Sequence, residues 1–305
     1  MLKIFRFSAL LLLISFITTF CKTRNNENPV LPDCAKQIIN NEITKLKLKD
    51  FLPTKKNIYT IHVFVALCDE KNQNINCGSR IAGKGNIPEY NLYWGNVPYG
   101  FKHFFMNNEE WTHIYTNEKV GDNILERVAF KNKEKNIYIV ADAYKGDKIK
   151  NAIQDFIFAA GGNKPIKLNI TLNENKRISL DAGGNADFLV YAGHNGLLQS
   201  EILDSTEVIF ENFKRNTKIS RKAVAVLSCF SKMLFTAFLQ KAEAFPLLTT
   251  ESTVAPEGYL IKAIIDSWIK MENESQILEN IAKTYNLYHP AMRYDYIKES
   301  FSTGW

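Results

Sequence analysis

Two residues of this 305-residue chain have the type and setting for nucleophilic chemistry. His194 follows the apolar run FLVYAG at 188–193, and Cys229 follows AVAVLS at 223–228. A thiol attacks as its thiolate, and a neighbouring imidazole accepts its proton or stabilises its charge. If the two runs are adjacent parallel strands, a His and a Cys at their ends stand side by side with little loop required. Backbone N–H groups around Asn195 and Gly196 would then face a developing oxyanion, where one well-placed donor contributes about 2.7–4 kcal/mol. Asp69, Asp142, Thr250 and Glu251 also lie at or near the ends of apolar runs. The two aspartates are candidates to orient His194 or to take a cationic substrate group, and a solvated or helix-capping role is the simpler alternative. Trp94, within NLYWGNVPYG at 91–100, is a candidate substrate contact, or else fills a satellite core.

The elements that must position these residues are legible as alternating apolar and amphipathic stretches. IYTIHVFVAL (58–67), NIYIVADAY (136–144), DFLVYAG (187–193), KAVAVLSC (222–229) and PLLTT (246–250) read as buried strands, with shorter ones at 111–117 and 122–130. Helices are expected near 97–107, with Pro98 in the first turn, and over 146–162 and 201–215. Others are expected from Cys229 to about 242, over 254–270 and over 275–286. Buried strands alternating with helices imply βαβ crossovers and the α/β class: a mainly parallel sheet with helices on both faces. Such sheets bind ligands at the carboxyl ends of their strands, where the candidate residues cluster. His62, in mid-strand, reads as a satisfied core residue, and AGKGNIP (82–88) reads as a loop.

The stretches YAGHNG (191–196) and AVLSCF (225–230) resemble the clan CD cysteine peptidases, the caspase, gingipain and clostripain group. Their signature is one hydrophobic strand ending in His-Gly and a second ending in Ala-Cys. Here 34 residues separate His194 from Cys229, and Asn195 and Ser228 stand where the group has Gly and Ala. The resemblance covers roughly residues 136–250. It implies a caspase-like fold, Cys229 as nucleophile, His194 as general acid/base and a peptide or protein substrate. The alternative on the same fold is a non-catalytic binding or assembly module of the cell envelope. IHVFVALCD, NLYWG, YIVADAY and LTTESTVAPEGY further resemble segments of a bacterial family with no assigned activity, which favours one continuous domain over 58–270.

The amino end points to export. Lys3 and Arg6 precede the apolar run SALLLLISFITTF (8–20), too short to span a bilayer, and polar sequence follows, as in a signal peptide over 1–20. Cys21 resembles the acylated cysteine of bacterial lipoproteins, with Thr18 and Phe20 where the lipobox usually has Leu and a small residue. Residues 21–45 would form the lipidated N-terminus and tether, and 46–305 the single α/β domain with C-terminal helices. The partner implied is a membrane, through the lipid. Lys and acidic residues are interspersed along the chain, with no basic stripe for nucleic acid. No cofactor is expected, and no CxxC pair or Cys/His set has zinc spacing, so no metal is expected either. Of the five cysteines, Cys68 and Cys77 are placed to close a short loop, although sequence does not fix the pairing.

Overall fold

The computed structural model describes residues 43–51, 56–95, 98–118, 120–173 and 176–305. The signal segment, Cys21 and Cys34 lie outside these residues. Numbered in chain order, the strands are β1 (Tyr59–Ala66), β2 (Trp111–Asn117), β3 (Ile124–Asn132), β4 (Ile137–Tyr144), β5 (Pro165–Asn173), β6 (Lys176–Gly183), β7 (Phe188–Ala192), β8 (Ala223–Leu227), β9 (Phe245–Thr250) and β10 (Phe301–Ser302). The helices are α1 (Glu70–Gln73), α2 (Phe101–Met106), α3 (Ile149–Ala160), α4 (Ser200–Glu211), α5 (Ser231–Ala242), α6 (Gly258–Ile269), α7 (Glu274–Tyr288) and α8 (Tyr294–Glu299).

Eight strands form one mixed sheet in the order β10-β9-β8-β7-β1-β4-β3-β2. The five central strands, β4, β1, β7, β8 and β9, run parallel, and β2, β3 and β10 are antiparallel additions at the two edges. The α/β class and the mainly parallel centre are therefore as the alternation of apolar runs implies. Every residue of β4, β7, β8 and β9 is buried, as strands covered on both faces must be.

Alternate strand residues feed two cores. On one face Ile61, Val63, Val190 and Ala225 pack with Phe101 and Phe105 of α2, Ile264 and Trp268 of α6 and Ile281 of α7. On the other face Phe64, Leu189, Tyr191 and Val226 meet Phe156 of α3, Phe210 of α4 and Phe235 of α5. The glycine-closed segment after β4 begins as a 3-10 turn at Gly146–Lys148 before α3. Pro98 precedes α2 rather than lying in its first turn, and Pro256 stands two residues before α6.

A separate hairpin, β5–β6, covers β3 and β4: Leu168, Ile170, Leu180 and Ala182 pack over Ala129, Tyr138 and Val140. This hairpin is not among the strands expected from the apolar runs, although the alternation in KLNITLN and RISLDAG, apolar residues inward and polar outward, signals it. Gly183 has φ +58, and an added Cβ would stand 2.2 Å from the Lys164 carbonyl oxygen, so the hairpin closes only on glycine there. No helix among the described residues is long and apolar enough to cross a membrane.

Candidate functional site

Parallel pairing of β7 with β8 sets Ala192 beside Leu227. His194 and Cys229 therefore both stand two residues beyond the ends of neighbouring strands, as the spacing of the apolar runs requires. The Gly193 N–H still donates to the Leu227 carbonyl at 3.2 Å. Gly193 has φ +153, and a Cβ there would sit 2.8 Å from the Ala66 carbonyl oxygen, so this turn admits no side chain.

Asn195 clamps the two strand ends together. Its Nδ2 donates to the Cys229 carbonyl at 2.7 Å, and its Oδ1 accepts from the Leu197 N–H at 3.1 Å. The Gly196 N–H donates to the His194 carbonyl at 3.2 Å, and the Tyr191 hydroxyl donates to the same oxygen at 2.8 Å. The Gly196 N–H expected to meet an oxyanion is thus engaged within the turn.

The His194 ring is 3% exposed, and its Nδ1 has no hydrogen-bond partner among the described residues. Burial lowers its pKa to about 4, because desolvation disfavours the imidazolium and no anion opposes it. The ring is neutral at pH 7. The Ser228 and Ser252 hydroxyls, from the same end of the sheet, are also buried without hydrogen-bond partners among the described residues.

Cys229 is 3% exposed, and its Sγ lies 3.7 Å from the Val254 carbonyl oxygen. Its sulfur is disulfide-bonded, and because Cys68 and Cys77 pair with each other, its partner lies outside the described residues. A disulfide sulfur is not a thiolate, so in this state Cys229 carries no nucleophile. Phe230, the next residue, is in the left-handed region at φ 54, a strained position for a bulky side chain. Its N–H is tied to the Ser252 carbonyl at 3.0 Å.

Thr250 is wholly buried. Its N–H donates to Ser231 Oγ at 2.9 Å and its hydroxyl to the Ser228 carbonyl, which knots β9 to the end of β8 rather than facing a substrate. Glu251 is exposed and pairs with Lys232 at 2.7 Å. Asp69 caps α1: Oδ1 accepts from the Lys71 and Asn72 N–H groups, both at 3.1 Å. The capping alternative therefore holds for it.

Asp142 does not meet His194. It lies inside β4, fully buried, between His62 on β1 and Arg127 on β3. Arg127 grips it with Nε at 2.6 Å and a terminal nitrogen at 2.7 Å, and His62 Nε2 is 3.1 Å away. The Gly183 N–H donates to His62 Nδ1 at 3.0 Å, which leaves the ring proton on Nε2, facing the carboxylate. Burial alone would raise the Asp142 pKa, but His62 and Arg127 outweigh it and hold the carboxyl below its usual range. The network ties the β5–β6 hairpin to the sheet, and His62 is a satisfied core residue as its mid-strand position suggests.

Trp94 is also wholly buried, stacked on Phe101 at 5.4 Å, and its Nε1 donates to Glu126 at 2.6 Å. It is core rather than a substrate contact. Above it, between the loop at 86–95, α2 and the start of β3, lies a cleft of about 770 Å3. Because β3 begins where β4 ends, the cleft flanks the carboxyl end of the parallel sheet. Glu89 and Glu118 stand exposed on its rim, and Glu126 pairs with Lys102 inside it. No motif marks these residues. They come from four separate segments, and only the folded chain assembles them.

The loop carrying Asp69 is stapled by Cys68–Cys77, with Cα atoms 6.0 Å apart, so the short-loop pairing suggested by the spacing is the one formed. No family model, curated protein or solved structure matches this chain.

Proposed function

We propose that the chain is an exported, lipid-anchored protein of the cell envelope whose caspase-like α/β domain is a binding module rather than a peptidase. The observation that carries this reading is the state of Cys229: buried, disulfide-bonded and clamped through its carbonyl by Asn195. The Cys68–Cys77 disulfide supports an oxidising compartment, where such bonds persist. The order of the central strands, with the His and Cys strands adjacent, supports a caspase-like arrangement.

The ligand site in this reading is the cleft at Glu89, Glu118 and Glu126. Its size suits a small ligand or a short peptide segment. Lys102 neutralises only Glu126, so the two rim carboxylates favour a ligand carrying basic groups. Titration with trilysine, followed by calorimetry, tests this. Binding should weaken with added salt, and Glu89→Gln with Glu118→Gln should weaken it by roughly tenfold. No binding, or equal binding by the double variant, contradicts the cleft assignment.

The adjacency of His194 and Cys229 favours one second reading: reduction of the Cys229 disulfide releases a cysteine peptidase. Its mark would be peptide hydrolysis that appears only after reductant and is lost in His194→Ala.

A further inference from the structure

The opposite end of the sheet carries a separate cavity of about 490 Å3, at the amino ends of β1, β7 and β8. Four cations line it, Lys56, Lys218, Arg221 and Lys222, against three carboxylates, Asp50, Asp181 and Asp187. All three carboxylates are already engaged. Asp50 accepts from the Lys47 N–H at 2.8 Å, Asp181 pairs with Lys167 at 3.0 Å, and Asp187 takes Lys56 and the Thr60 N–H. Arg221 is paired with Glu243 at 2.6 Å.

Two cations are left without a carboxylate among the described residues. Lys218 is exposed, and Lys222 is 3% exposed with the Gly184 carbonyl as its acceptor. A buried ammonium with no counter-ion is unfavourable unless something compensates it. The amine shows this stress. Burial lowers its pKa to about 7, Asp187 opposes the fall, and Lys56 and Arg215 add to it.

We propose that this cavity binds a small oxyanion, a carboxylate or a sulfate- or phosphate-type group, with Lys222 as its buried counter-charge and Lys218 closing it from the solvent side. Binding would supply the acceptors that Lys222 lacks and restore its positive form. This site goes beyond the cleft and the Cys229 edge, and shares no residue with either.

The test is calorimetric titration of the full chain with sodium sulfate and, separately, sodium propionate, at constant ionic strength. Neither anion changes charge between about pH 6 and about pH 8.5, whereas Lys222 does. Saturable binding of at least one anion is expected, weakening as pH rises across that range. Sulfate alone would assign a phosphate-type ligand, and propionate a carboxylate. Lys222→Met removes an unpaired buried charge and should leave the fold at least as stable, while weakening binding about tenfold. If that variant does not fold, Lys218→Ala, at an exposed position, decides by the same loss of affinity. Absence of saturable binding by both anions overturns the proposal, and so does undiminished affinity in whichever of the two variants is decisive.

Discussion

A buried imidazole with no counter-charge among the described residues makes stability depend on pH in a definite direction. The His194 pKa is about 4 in the fold, against about 6.5 in an unfolded chain. Between those values the unfolded chain holds a proton that the native state does not, so stability falls as pH drops from about 6.5 to about 4. The full loss from this one group approaches about 3 kcal/mol. His194→Leu should flatten that part of a urea-denaturation profile against pH; an unchanged slope would mean that the ring has an anionic partner. Lys222 acts in a higher window. Its pKa of about 7, against about 10.4 unfolded, makes stability rise with pH between those values, and Lys222→Met should remove the rise. Asp142 is different again, because its partners stay buried when it is removed. Asp142→Asn should cost about 3–5 kcal/mol by leaving Arg127 without its counter-charge, readable as a lowered urea midpoint.

At the scale of elements, the staple at Cys68–Cys77 closes the loop that carries the Asp69 cap, and Asn91 ties the Cys68 backbone to the following segment with Trp94 and one wall of the cleft. Replacing both cysteines by serine should destabilise the domain by about 3 kcal/mol and loosen ligand binding in the cleft before the sheet unfolds, which amide exchange would resolve. The same elements show what the sequence makes legible. The five parallel strands are mostly apolar runs because burial on both faces leaves few polar positions, so their existence and the placement of His194 and Cys229 at two adjacent ends can be read directly. What decides chemistry at those ends is not periodic. Asn195 Nδ2 on the Cys229 carbonyl and Thr250 on the Ser228 carbonyl are contacts between distant segments. Arg127 and Asp142 are directly paired across antiparallel β3 and β4, a register that no apolar pattern fixes for so short a turn. The hold of the β5–β6 hairpin on His62 through Gly183 escapes notice for the same reason, whereas the hairpin itself is signalled by its alternating pattern.

For the whole molecule, a disulfide-stapled α/β domain presents different side-chain chemistry at the two ends of its sheet, and the proposed function adds export to this picture. Lipidation of Cys21 belongs at this scale: mass spectrometry of the mature amino terminus should find an acylated cysteine, and a mature chain that begins beyond Cys21 or carries it unmodified would remove the anchor. The central claim is that Cys229 serves structure in the native protein and not catalysis. It is tested most directly by treating the native, unreduced protein with iodoacetamide near neutral pH and mapping the adducts by mass spectrometry. The account predicts no modification of Cys229 until the protein is reduced. Rapid alkylation of Cys229 without reductant, slowed in His194→Ala, would contradict it and establish a reactive thiolate in its place.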